Sequence, residues 1–257
     1  MIDTHCHLNH DDLYPRADFY IEEAKKAGVN TFLVVGWDVK SSEKAVDLAN
    51  RFDCVYAAVG IHPTDSLKAT SCDYDRIESL LQNSKVIAIG EIGLDFYWNK
   101  TIEDQKKQTE NFLRQINLAN KHRMPILVHS RNADQNMLEV LKRNRPICGG
   151  IMHCYSSSAE AASEYIKLGM YISLGGPVTF SNAKKPKSVA STVPLSKLFV
   201  ETDSPYLSPE PFRGNINFPV NVMLVAKEIA NLHNVSIETV DEITTKNFEQ
   251  LFHVKTK

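Results

Sequence analysis

Five cysteines in 257 residues (Cys6, Cys54, Cys72, Cys148 and Cys154) are odd in number and form no Cys-x-x-Cys pair. That excludes a disulfide framework and fits reduced thiols in a cytoplasmic protein. No charged-then-apolar leader opens the chain, because Ile2 already begins a strand-like run. No apolar stretch approaches the roughly 18 residues that a membrane span requires, so no membrane partner is expected. The net charge of −2 excludes a generally basic nucleic-acid coat, while leaving room for a local basic cleft. Gly/Ser-rich linkers, low-complexity tracts and short repeats are missing, so residues 1–257 read as one domain. AIGEIG lacks the G-x-G-x-x-G pattern, which disfavours a nucleotide-binding doubly wound fold. What remains is 43% hydrophobic and 23% charged residues, an ordinary globular balance with enough apolar material for a large core.

Short apolar or β-branched runs alternate with longer amphipathic ones. Eight runs read as strands: IDTHCHL, TFLVVGW, VYAAVGIHP, VIAIGEIGLD, PILVHS, GGIMHCYS, YISLGG and LFVETDSP. Between them, 103–123 has helical spacing with Phe112, Ile116 and Ala119 on one face, and 133–144 carries Met137, Leu138 and Leu141. Eight such units in this length predict an α/β fold, a single (β/α)8 TIM-type barrel, with an open doubly wound sheet as competitor. Two further helices, 217–233 and 236–252, are expected outside the barrel, after an irregular loop from Thr202 to Gly214 with three prolines.

Strand alternation puts Asp3, His5 and His7 on one face and Thr4, Cys6 and Leu8 on the other, which makes Cys6 a buried small hydrophobe. Comparable residues recur at other strand ends: His62, Glu91, His129, His153, Glu201 and Asp203. In a TIM-type barrel those ends form the active face. A lone strand-end histidine is more often an ordinary hydrogen-bonded residue, and Asp203 alone could cap the following loop. Together, however, these placements would require many coincidences. A lumen-facing imidazole pair and a carboxylate within an apolar run are costly to bury without partners. Histidine and carboxylate donors without thiolate suit Zn²⁺, Mn²⁺, Mg²⁺ or Fe. Six candidate ligands (His5, His7, Glu91, His129, His153 and Asp203) exceed the usual needs of one ion, so two divalent ions bridged by Glu91 are the economical arrangement. Such a pair lowers the pKa of a shared water and stabilises in-line displacement at phosphorus.

The successive motifs IDTHCHL, VGIHP, IGEIGLDFYW, LVHSRNA, HCYSSS, GPVTF and VETDSPYL resemble those of the TatD family of metal-dependent deoxyribonucleases, within the amidohydrolase-like barrels. The resemblance runs in order from residue 2 to about 219. It implies a 3′→5′ exonuclease that prefers single-stranded DNA or short oligonucleotides. It also implies that His5, His7, Glu91 and Asp203 hold one ion and that Glu91, His129 and His153 hold the other. Glu201 would serve a third ion or orient ligands, and His62 and Arg131 would contact phosphate. The family's late RG-x-x-NEP motif is here Arg213-Gly214-Asn215-Ile216-Asn217-Phe218-Pro219, with Phe218 in place of glutamate.

On this reading Asp203 accepts a proton from the attacking water, and Arg131, His62 and Arg213 stabilise the charge at phosphorus. Tyr97, Trp98, Tyr155, Tyr206 and Phe212 are candidate base-stacking surfaces, against the alternative that they pack loops. The run Lys184, Lys185 and Lys187 reads as a solvated helix face. Two rival functions stay open. One is an amidohydrolase-type enzyme acting on a lactone, amide or phosphoester; the other is a non-catalytic metal-stabilised binding protein.

Overall fold

All eight expected strands form, and they join in sequential parallel order β1 to β8. The computed structural model describes residues 1–256. The strands are β1 (Ile2–Cys6), β2 (Thr31–Val35), β3 (Val55–Val59), β4 (Val86–Asp95), β5 (Ile126–Arg131), β6 (Gly150–Met152), β7 (Met170–Leu174) and β8 (Leu198–Val200). The helices are α1 (Ala17–Lys26), α2 (Val39–Arg51), α3 (Pro63–Ser66), α4 (Ser71–Leu80), α5 (Ile102–His122), α6 (Asp134–Arg143), α7 (Ala159–Lys167), α8 (Lys184–Thr192), α9 (Val222–His233) and α10 (Ile237–Phe252). The result is the TIM-type (β/α)8 architecture. No described helix is long and apolar enough to cross a membrane.

The apolar runs are explained by burial on both strand faces. Outward residues such as Phe32, Val34, Ala57, Ile89 and Val128 pack under the helices, where α5 buries the expected face of Phe112, Ile116 and Ala119. Inward residues, including Leu33, Val35, Ala58, Leu127, Ile151, Tyr171 and Phe199, form a second core inside the barrel. The sequence places both terminal helices outside, and this is corrected for α10. Its Phe248, Leu251 and Phe252 belong to the inner core and close the barrel at the N-terminal ends of the strands. Asn247 Nδ2 fixes the helix there by donating to the carbonyls of Leu195 and Leu198, both at 2.9 Å. Burying each of those apolar side chains contributes about 1.5–3 kcal/mol. The histidine and carboxylate side chains gather at the opposite end of the cylinder.

The barrel seam is built differently from the other junctions. Among the described residues no ladder joins β8 to β1. Instead, Asp203 N donates to His5 O at 2.9 Å and His7 N to Ser204 O at 2.8 Å. Thr4 Oγ1 donates to Val200 O at 2.9 Å. The Asp3 carboxylate accepts from Thr202 N at 2.9 Å and from Thr202 Oγ1 at 2.6 Å.

Strict alternation along β1 fails as a result of a bulge. Ile2 lies in the inner core, and Thr4 Oγ1 approaches Ser173 Oγ at 3.5 Å on the inner face of β7. The register with β2 then shifts between Asp3 and Cys6. One extra residue reverses the phase, so Cys6 and Leu8 enter the outer core while His5 and His7 face the mouth. Thr4 therefore does not share the face of Cys6.

Burial pushes the Asp3 carboxyl up to about 8 despite its bonds from Thr202. A carboxyl raised on folding favours the native state below its unfolded pKa of 3.8 and loses that contribution as pH rises towards 8. Asp3→Asn keeps an acceptor for Thr202 N and reverses the second contact, its Nδ2 donating to Thr202 Oγ1. The expected outcome is a variant that is more stable than the parent at pH 8 and about equal at pH 4. Thermal melts across that range measure it.

Candidate metal centre

β4 is the longest strand, and its register against β5 shifts between Ile89 and Ile92, placing Glu91 on a bulge within a wholly buried run. Bulges re-aim side chains and recur beside active sites. Gly93 follows at φ +144°, where a Cβ would lie 2.0 Å from His129 O, so only glycine lets β4 press this closely on β5. Glu91 is 5% exposed and points into the mouth.

The two Glu91 oxygens face different imidazoles. Oε2 lies 3.5 Å from His5 Nε2 and 3.7 Å from His7 Nε2, and the same two nitrogens stand 3.8 and 3.4 Å from Asp203 Oδ1. Oε1 lies 2.9 Å from both His129 Nδ1 and His153 Nε2, with His62 Nε2 at 3.6 Å. His5 and His153 stack at a centroid separation of 4.0 Å, linking the two groups. One carboxylate therefore stands between two ligand clusters, the arrangement a bridging group requires. Asp203 is held at φ +56°, a left-handed conformation that aspartate tolerates better than most residues, and its backbone bond to His5 O fixes it there.

Two ring nitrogens that face away from Glu91 are held by acceptors, and a third has a carboxylate nearby. His7 Nδ1 donates to Val35 O at 2.9 Å, His129 Nε2 to Asp95 Oδ2 at 3.1 Å, and His153 Nδ1 lies 3.3 Å from Glu201 Oε1. Such contacts set tautomer and ring orientation in metal sites. Glu201 is completely buried beside His153 and accepts from Cys154 N at 2.6 Å. Asp95 was not singled out from the sequence. The signal was available in IGEIGLD, where alternation puts Glu91, Gly93 and Asp95 on one face.

The electrostatics fit a cation. Burial opposes the Glu91 charge, yet the imidazoles of His153, His62 and His129 hold its carboxyl well below the usual range. Burial likewise opposes the Asp203 charge, and His7 and His153 keep that carboxyl low. Burial would lower His153, but Glu91 and Glu201 raise it well above an ordinary imidazole. Burial and His153 lower His5, and neither His5 nitrogen has a hydrogen-bond partner although both are buried. Orphaned nitrogens inside a ring of carboxylates are the donors a divalent ion would satisfy. Ligand atoms of His5, His7 and Asp203 all lie within 4.8 Å of one another, as do those of His5, Glu91 and His153.

A cavity of about 710 Å³ opens above the cluster, lined in part by His62, Arg131, Trp98 and Tyr206. Burial pushes His62 down to about 3, leaving it neutral. His62 Nδ1 is held by Thr64, through Oγ1 at 2.8 Å and the backbone N at 3.3 Å, which turns Nε2 towards the cavity. Arg131 stacks its guanidinium 4.0 Å above Tyr97 and 5.7 Å from Trp98, two exposed rings. Two expected substrate contacts are not reproduced. Tyr155 is 6% exposed, edge-on to Tyr165 with its hydroxyl donating to Ser158 O, so it is wall rather than stacking platform. Arg213 lies outside the cavity lining, over Phe180 at 4.1 Å and 4.0 Å from Glu210.

Fold and site together define the class: a TIM-type barrel whose strand ends gather a histidine–carboxylate centre suited to divalent ions. Within it the chain belongs to the TatD related DNase family, whose model matches residues 2–253. It is 42% identical to the uncharacterised metal-dependent hydrolase YabD of Bacillus subtilis (strain 168), across 99% of each chain. It is 36% identical to the uncharacterised metal-dependent hydrolase YcfH of Escherichia coli (strain K12), across 99% of this chain and 96% of that one. The crystal structure of YJJV, a TatD homologue from Escherichia coli K12, superposes with a TM-score of 0.93 at 28% identity, covering 99% and 98% of the two chains. A Deinococcus radiodurans organophosphorus hydrolase variant, at 12% identity and a TM-score of 0.65, shares the fold alone.

Because the ligands must shed protons to take an ion, divalent-metal affinity should rise with pH. Asp95→Ala removes the acceptor that orients His129, and roughly 10–100-fold weaker binding of Mn²⁺ or Zn²⁺ is expected. Calorimetric titration of chelator-stripped protein measures both effects.

Proposed function

We propose that the chain is a divalent-metal-dependent deoxyribonuclease that hydrolyses phosphodiester bonds, acting 3′→5′ on single strands and releasing 5′-mononucleotides. The observation that carries this reading is the division of the Glu91 oxygens between His5/His7 and His129/His153 beneath an open cavity. His5, His7, Glu91 and Asp203 would hold one ion, and Glu91, His129 and His153 a second. Family membership supports a nucleic-acid substrate.

Two divalent ions bound there would neutralise phosphoryl oxygens and acidify a water. The remaining steps belong to the protein. Arg131, steadied by Tyr97, offers a fixed guanidinium to a non-bridging oxygen. Neutral His62, held at Nδ1 by Thr64, presents Nε2 to the same phosphate. Asp203 Oδ1, ionised and 3.4 Å from His7 Nε2, accepts a proton from the attacking water. As the new P–O bond forms, the bond to the 3′-oxygen breaks and the shortened strand departs. Tyr97 and Trp98 supply stacking faces, worth roughly 1–3 kcal/mol per base whatever the sequence.

A cavity of about 710 Å³ also suits a small ester or amide, so the same preparations should be assayed on lactone and amide panels. Glu91→Ala and Asp203→Ala proteins should fold but lose roughly 10²-fold or more of their activity on 5′-labelled single-stranded DNA with Mn²⁺ or Mg²⁺. Electrophoresis of the digests should show a ladder shortening from the 3′ end in the parent alone. Full activity in either variant refutes the assignment.

A further inference from the structure

The cavity is chemically two-sided. On the β2–β5 side its lining carries His62, Asp65, Asp95 and Arg131. Past Asp203, the β7–β8 side is formed by Leu174, Pro177, Val178, Pro186, Tyr206 and Leu207, with no charged side chain among them. A phosphodiester chain carries a charge at every linkage, so this second wall cannot track a backbone. It can only take the uncharged part of a nucleotide.

That wall is also braced. The 3-10 turn Gly176–Thr179 lies so close to the loop after β8 that a Cβ on Gly176 would stand 1.9 Å from Leu207 O. Glu210 N donates to Thr179 Oγ1 at 2.8 Å, tying the same two segments together. Val178 is 1% exposed, whereas Tyr206 and Leu207 are 50% and 42% exposed and form the open lip. The total volume, about 710 Å³, lies in the range of sites for single small ligands rather than polymers.

We propose that the β7–β8 wall is a pocket for one terminal nucleoside, packing its base and sugar on Leu207 and Tyr206 above the buried Val178 while its phosphate lies over Glu91. This deepens the nuclease reading and rests on it. It assigns the removal of single nucleotides to an apolar side of the cavity beside the charged one, with Leu207 as a specificity-determining residue that touches no reacting atom.

The test compares binding of thymidine 5′-monophosphate and 2-deoxyribose 5-phosphate to the Mn²⁺-loaded protein by calorimetry. The parent should bind the nucleotide roughly tenfold or more tightly than the sugar phosphate, since apolar and stacking contacts of a base are worth that much. Leu207→Asp, at an exposed lip position, should bring the two affinities within about twofold. Leu207→Ala, the milder change, should give an intermediate ratio. Arg131→Ala should weaken both ligands about equally and leave the ratio intact. Equal affinities in the parent, or an unchanged ratio in Leu207→Asp, overturn the proposal. The outcome is separable from the nuclease reading. A parent that cuts DNA but ignores the base defeats only the pocket, whereas a parent that prefers the nucleotide yet cuts no DNA defeats only the nuclease.

Discussion

A carboxylate buried at the centre of the mouth organises this barrel. Glu91 has almost no contact with water, and an uncompensated charge in that position would be strongly destabilising. Its compensation comes from β1, β3, β5 and β6, each contributing at least one imidazole from the end of its strand. The imidazoles need the carboxylate equally. His5 and His153 stack at 4.0 Å, a contact that repels when both rings are charged. With Glu91 between them, the cluster holds together as one electrostatic unit in which removal of any member leaves others unpaired.

The remainder of the fold keeps that unit at one end of an otherwise apolar cylinder. α10 fills the far end with Phe248, Leu251 and Phe252, so the cylinder is closed there and opens at the mouth. The β1–β8 seam, where His5, His7 and Asp203 meet, is joined by the Asp3–Thr202 contacts and loop backbone bonds rather than by a ladder. That construction lets β8 end after Val200 and its loop turn Asp203 inward. Stability is therefore surrendered locally, at Asp3 and in the left-handed Asp203, both beside the histidine–carboxylate cluster.

Much of this was legible in the sequence for one reason: parallel strands buried on both faces are apolar, so each histidine or carboxylate in such a run is conspicuous. His5, His7, Glu91, His129, His153 and Asp203 were found in that way, and the structure brings them together. The features that were missed depend on information that periodicity lacks. A bulge in β1 reversed the phase at Thr4. The inward turn of α10 is a matter of where its apolar face lands, since an amphipathic pattern does not say which surface it covers. Tyr155 and Arg213 follow motifs on the active face, but motif position does not reveal whether a ring is open or a guanidinium already engaged.

Phe218, where the resemblance leads one to expect glutamate, leaves the rim to be held by other groups. Phe218 stacks on Tyr20 at 4.9 Å, outside the cavity, so it adds apolar packing between α1 and the chain entering α9. The anchoring of the long loop falls to its neighbour, Asn217, which is completely buried. Asn217 Nδ2 donates to the carbonyls of Thr202 and Tyr206, both at 2.8 Å, while its Oδ1 accepts from Phe218 N and Asn221 Nδ2, both at 2.9 Å. Every polar capacity of that amide is used, and the start and end of the segment carrying Asp203 and Tyr206 are pinned together by neutral bonds. A neutral anchor adds no competing negative charge beside Asp203. The β8 rim therefore holds its shape without a carboxylate at 218, and Arg213 lies over Phe180.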